Sequence, residues 1–112
     1  SIAERVPVPL AVSFATGWSD YGAGYQGAGY VLDRRRVYLS GAVKNGGTGT
    51  GLIFTLPDGY RPASTRAIPT AITGSTGTVT IAADGTVTDS TFSPASKAFL
   101  SLDGISFEVA NG

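Results

Sequence analysis

Three segments in the second half of the chain constrain its fold more than any other feature. They are Leu56-Pro57-Asp58-Gly59-Tyr60-Arg61-Pro62, the run from Val79 to Thr88, and Leu100-Ser101-Leu102-Asp103-Gly104-Ile105-Ser106-Phe107. Each couples an apolar, strand-like run to a turn that Gly or Pro makes feasible. Pro57 presets φ and Gly59 accepts the left-handed conformation. Asp84-Gly85 lies between Val79/Ile81 and Val87, and Asp103-Gly104 between Leu100/Leu102 and Ile105/Phe107, each the short-range signal of a β-hairpin. None of the three carries a nucleophile, a base or a metal-ligand cluster. A chain punctuated in this way holds a surface in place, so its function is sought in binding or assembly rather than in catalysis.

The same signals extend upstream. Val6 to Phe14 reads as a strand, but Pro7 and Pro9 cannot donate to a ladder, which places it at an edge or makes residues 1–10 an N-terminal arm. Residues 17–27, rich in Gly and aromatics, read as a long loop whose rings pack back on the body. Ala28 to Asp33 reads as the partner of a strand starting at Arg36, where Val37, Leu39, Gly41 and Val43 share one face and Tyr38, Ser40 and Lys44 the other. Asn45 to Gly51 is a flexible connection. Leu52 to Leu56 is apolar on both faces and is expected at the centre of a sheet. Ala67 to Ile72 and Thr78 to Ala82 read as strands joined by a turn at Gly74-Ser75-Thr76-Gly77. Residues 63–66 and 94–98 have room for one turn of helix each. The expected fold is all-β: a single antiparallel β-sandwich or barrel over residues 1–112, with eight or nine strands at the roughly 8–12 residue spacing of such folds.

Composition supports one domain and removes whole classes of function. The 112 residues are 42% apolar, enough for a core, and no apolar run approaches the ~20 residues of a membrane-spanning helix. Lys+Arg and Asp+Glu balance at 8 each, so no net field recruits nucleic acid or an anionic membrane. Arg34-Arg35-Arg36 is the one local charge run, read as a solvated turn or strand entry rather than a phosphate-tracking footprint. With no Cys there is no disulfide framework or zinc-finger pattern, and with no His the commonest general base and metal ligand is missing. No basic and apolar leader is visible. The chain opens at Ser1 rather than Met, as a processed product or a piece of a longer protein would.

Candidate chemistry is sparse. Asp58, Asp84 and Asp103 each precede a Gly and fit turn positions, where a carboxylate accepts local backbone hydrogen bonds. No spacing suggests the paired carboxylates of a glycosidase. A serine triad is impossible within a chain that lacks His. Gly22-Ala23-Gly24-Tyr25-Gln26-Gly27 matches the dinucleotide spacing, but no βαβ unit surrounds it, and the glycines at 45–51 lack the Lys-Ser/Thr ending of a phosphate loop. Asp84 to Asp89 lacks the remaining ligands of a calcium loop. No cofactor and no metal are expected.

Trp18, Tyr21, Tyr25 and Tyr30, with Asp20 and Gln26 nearby, form the candidate ligand-binding set. Their rings suit stacking on sugar C–H faces, and equally suit capping the core or packing on a neighbouring subunit. Arg61 is expected to engage backbone carbonyls or a carboxylate through its planar fork, with a clamp on a ligand anion as the alternative.

Taken in order, Gly41-Ala42-Val43 after a Val-x-Leu strand, Ile53 through Pro62, Val79-x-Ile81-x-x-Asp84-Gly85-x-Val87 and Leu100-x-Leu102-Asp103-Gly104-Ile105-x-Phe107 resemble the C-terminal head or knob domain of tailed-bacteriophage tail fibres and receptor-binding proteins. Trp18 and Tyr30 resemble the aromatic positions ahead of the first core strand in such domains, and the likeness spans roughly residues 14 to 109. It implies a homotrimeric, jelly-roll-like sandwich on a virion that recognises host-surface carbohydrate without being an enzyme. It also implies contact with other virion proteins, and no nucleic-acid binding or membrane insertion. Related modules decorate capsids or form head fibres, so a purely structural role is the alternative. A carbohydrate-binding module or small hydrolase is the third. The motif residues are scaffold, and the resemblance carries no binding residue onto this chain.

Overall fold

The computed structural model describes residues 9–47 and 49–110. Among these, eleven strands and one short helix follow in order: β1 (Leu10–Ala11), β2 (Trp18–Asp20), β3 (Gly29–Asp33), β4 (Arg36–Ser40), β5 (Ala42–Asn45), β6 (Leu52–Thr55), β7 (Arg66–Ile72), β8 (Ser75–Ile81), β9 (Thr86–Asp89), α1 (Pro94–Ala98), β10 (Leu100–Ser101) and β11 (Ser106–Glu108). The strands pair antiparallel into a four-stranded sheet, β1-β3-β4-β11, and a seven-stranded sheet, β2-β5-β10-β7-β8-β9-β6. Val37, Leu39 and Phe107 of the smaller sheet join Val43, Phe54, Ile72, Val79, Ile81, Val87 and Leu100 of the larger in one apolar cluster. The fold is an antiparallel β-sandwich. It has more strands than the eight or nine expected because one expected stretch divides into β4 and β5, and because β2, three residues long, lies within the stretch read as a loop.

The stretch read as one strand from Arg36 to Lys44 is two. β4 pairs with β3 and β11 in the smaller sheet, and β5 pairs with β2 and β10 in the larger. The change of sheet falls on Gly41, at φ +101. A Cβ there would stand 2.4 Å from the Gly27 carbonyl oxygen, so only Gly fits. The partner ribbon bends at the same level. β10 lies in the larger sheet and β11 in the smaller, so Asp103-Gly104 is a corner between sheets rather than the tip of a hairpin. The turn itself forms as its residues require, with Gly104 at φ +86 and the Ile105 N–H donating to the Leu102 carbonyl at 3.3 Å. Three bonds lock the corners together. Asp103 Oδ1 accepts from the Gly41 N–H at 2.8 Å, the Leu102 N–H donates to the Gly41 carbonyl at 2.7 Å, and the Leu39 N–H donates to the Ile105 carbonyl at 2.9 Å.

Other boundaries move for local reasons. Among the described residues of the expected Val6–Phe14 strand, 9–14, only Leu10–Ala11 is strand, and Phe14 makes an isolated bridge to Phe54. Residues 1–8, most of the expected arm, lie outside the described residues. β6 is at the edge of its sheet, not the centre. Both Ile53 and Phe54 are buried because a register shift against β9 turns consecutive side chains inward, and Phe14-Ala15 covers its outer side, with the Ala15 N–H donating to the Ile53 carbonyl at 2.8 Å. The β7–β8 hairpin turns at Thr73-Gly74, so Ser75 to Gly77 belong to β8. Asp84-Gly85 does join β8 to β9. α1 forms at 94–98 behind the N-cap Ser93, which trades hydrogen bonds with Ser96, whereas residues 63 and 64 only bend and Arg66 already opens β7.

Candidate functional site

Registers assemble an aromatic patch from distant residues. Asp20 pairs with Val43, and Val43 pairs with Leu100, forming one row across β2, β5 and β10. Val43 and Leu100 point into the core. Tyr21 and Phe99, each one residue off that row, therefore project from the outer face of the larger sheet. Their rings meet edge to face with centroids 5.0 Å apart. Tyr25 closes the set at 5.2 Å from Tyr21 and 5.3 Å from Phe99. Tyr25 is 53% exposed.

The loop carrying Tyr25 is held at both ends. Gly22, Ala23 and Gly24 take φ of +77, +54 and +87, and the Tyr25 N–H donates to the Gly22 carbonyl at 2.9 Å. Asp20 Oδ1 accepts from the Ala28 N–H at 2.8 Å. The Gln26 carbonyl accepts from the Ala42 N–H at 3.1 Å, and Gln26 Nε2 donates to Ser40 Oγ at 3.3 Å. Asp20 thus fastens the loop through one carboxylate oxygen, and Gln26 through its carbonyl and its side-chain amide nitrogen.

The six candidate ligand residues separate into two groups. Tyr21, Tyr25, Asp20 and Gln26 lie together around the patch. Trp18 does not offer a face: it is 5% exposed, donates Nε1–H to the Thr50 carbonyl at 3.0 Å and packs on Phe92 at 6.1 Å. It caps the core because its register opposite Asn45 directs it inward. Tyr30 packs edge to face on Tyr60 at 5.0 Å, partly buried against the core. Phe99 is the member that sequence reading missed. Nothing near it in the chain signals Tyr21; only the β10–β5–β2 register does.

The turn residues form a separate, structural unit. The Leu56 N–H donates to the Gly85 carbonyl at 2.8 Å, and Arg61 Nε–H returns to the Leu56 carbonyl at 2.8 Å. Arg61 Nη1 is 2.9 Å from Asp58 Oδ1, so Arg61 engages both a carbonyl and a carboxylate. Gly59 takes φ +89 in the turn closed by the Tyr60 N–H and the Pro57 carbonyl at 3.2 Å. Asp84 Oδ1 accepts from the Thr86 N–H at 3.0 Å and the Thr86 hydroxyl at 2.8 Å. Those two bonds, the backbone one foremost and with the Arg61 charge adding, hold the Asp84 carboxyl below the usual aspartate range.

At the β3–β4 turn, Arg34, Arg35 and Arg36 surround an open hollow with Asp33, Tyr38 and Glu108. Among the described residues no group of three or more His, Cys, Asp or Glu side chains is placed to hold a metal ion, and no helix is long and apolar enough to cross a membrane. Comparison with family models finds no match, and comparisons with curated proteins and with solved structures likewise find none.

Proposed function

We propose that this chain is a non-enzymatic virion attachment module, the head domain of a phage tail fibre, which assembles as a homotrimer and binds host-surface carbohydrate. The observation that carries the reading is the Tyr21–Tyr25–Phe99 patch. Three rings brace one another edge to face, Tyr21 and Tyr25 from a fastened loop and Phe99 from beside β10, and the most exposed of them presents a flat apolar face. Such a face suits the C–H side of a pyranose, and a preorganised ring loses little side-chain freedom on binding. The remaining polar capacity of Asp20 and Gln26 at the rim suits sugar hydroxyls. The motif order described above supports the placement on a virion.

Saturation-transfer NMR and glycan-array binding test the reading. A bound glycan should show transfer from Tyr25 and Tyr21, and Tyr25→Ala should weaken it at least about fivefold, as loss of an aromatic anchor does. Absence of binding to any glycan or host cell would remove the receptor role and leave a structural decoration or fibre-tip domain. Leu10 and Leu32, 47% and 38% exposed, favour assembly under either role.

A further inference from the structure

The chain's run of three arginines, Arg34-Arg35-Arg36, lies at the β3–β4 hairpin. Asp33 and Arg36 close it as a registered pair, which makes Arg34 and Arg35 its two loop residues. Arg34 takes φ +65, a conformation that Gly adopts at least cost in a loop of this kind. The three consecutive arginines line a hollow of about 440 Å³. A second hollow of about 390 Å³ shares Arg35 and Glu108 with the first and adds Arg66. Four of the chain's 8 basic residues thus meet two carboxylates on one surface, in a chain of zero net charge.

The side chains there are partly oriented. Arg36 Nε–H donates to Ser106 Oγ at 3.0 Å, and Arg35 Nε stands 3.9 Å from Glu108 Oε2. Tyr38 is 43% exposed while Val37 and Leu39 beside it are buried, so its ring faces outward beside the arginines.

We propose that this hollow binds an anionic sugar unit, meaning a saccharide ring bearing one carboxylate or one phosphate. Guanidinium forks match planar and tetrahedral oxyanions through paired hydrogen bonds. The volume falls within the ~300–1,000 Å³ of small-molecule sites and exceeds what a bare oxyanion needs. Asp33 and Glu108 repel a ligand that is anionic throughout, but they accept hydrogen bonds from hydroxyls. Tyr38 supplies an apolar face for ring C–H groups. The proposal deepens the saccharide reading by adding a charge-selective site, and it uses none of Tyr21, Tyr25 or Phe99.

Amide shifts of the ¹⁵N-labelled chain, titrated separately with glucuronate, glucose 6-phosphate, glucose and inorganic phosphate, test it. Glucuronate or glucose 6-phosphate should shift residues 33–38 and 106–108 and glucose should not, with the tighter acid identifying the preferred oxyanion. Raising NaCl from about 0.05 M to about 0.5 M should weaken the binding several-fold, because exposed charges are screened. Arg34→Gly suits the local φ, so it should keep or raise Tm while weakening the acidic sugar about tenfold or more. Undiminished affinity in Arg34→Gly, no shift with either acidic sugar, or inorganic phosphate binding as tightly as both would overturn the proposal. Tyr25→Ala leaves the hollow intact and should keep these shifts, so the failure of one site is told apart from the failure of the other.

Discussion

A Cβ on Gly85 would lie 2.4 Å from the Leu56 carbonyl oxygen and 2.5 Å from Arg61 Nε, and its φ of +92 is one that only Gly adopts freely. The contact fuses two motifs that sequence reading treated separately. Gly85→Ala should therefore destabilise the fold by about 3 kcal/mol or more, from steric displacement plus backbone strain, read as a lower urea midpoint at unchanged m-value. Arg61→Ala should cost about 1–3 kcal/mol by stranding the Leu56 carbonyl. Arg61→Lys should recover little of it, because an ammonium cannot reproduce the fork that reaches both that carbonyl and Asp58. Asp84 gives the same unit a pH dependence. Its carboxyl titrates below the usual aspartate range in the folded state, so the unfolded chain takes up the proton first. The stabilisation is complete above about pH 4 and is lost as pH falls below it through the folded value. Urea midpoints measured on both sides of that window should fall less steeply in Asp84→Asn than in the parent chain, and equal slopes would remove Asp84 as a contributor.

The elements teach where local signals stop. The alternation through Val37, Leu39, Gly41 and Val43 reads as a single strand and hides the change of sheet at Gly41, because period two reports which residues face a core and not which sheet they belong to. Asp103-Gly104 behaves likewise. Its residues ask for a turn with a left-handed position and they make one, yet β10 and β11 then pair with β5 and β4 rather than with each other. Asp84-Gly85 keeps its partners, since β8 and β9 pair directly across it. β6 was misplaced because two-sided burial looks the same at a sheet centre and at a bulged edge that another segment covers. The corner has its own test. Asp103→Ala leaves the Gly41 N–H without its acceptor and should cost about 1–2 kcal/mol, whereas Asp103→Asn retains a carbonyl oxygen there and should recover most of it. If both cost the same, charge rather than the hydrogen bond holds the corner.

Across the whole molecule, the candidate site was half legible. Tyr21, Tyr25, Asp20 and Gln26 are neighbours in the chain and were found together; Phe99 entered through three-strand register, and Trp18 left through burial, neither of which composition reports. The proposed attachment role requires a shallow site to hold a surface. A single exposed aromatic patch binds weakly, and three copies on one rigid body convert the later contacts into intramolecular ones, which can raise avidity about 10²–10⁴-fold. Leu10 on the edge strand β1 and Leu32 near the end of β3 are the apolar side chains that a three-fold neighbour would cover. Light scattering should accordingly give a mass near three chains at micromolar concentration. Leu10→Glu and Leu32→Glu, at positions already exposed in the isolated chain, should shift the mass toward one chain with little loss of Tm. Adhesion to cells should collapse in those variants while binding of soluble oligosaccharide per chain stays unchanged. A monomeric parent chain, or adhesion that survives dissociation, would show that multivalency is not how this surface works.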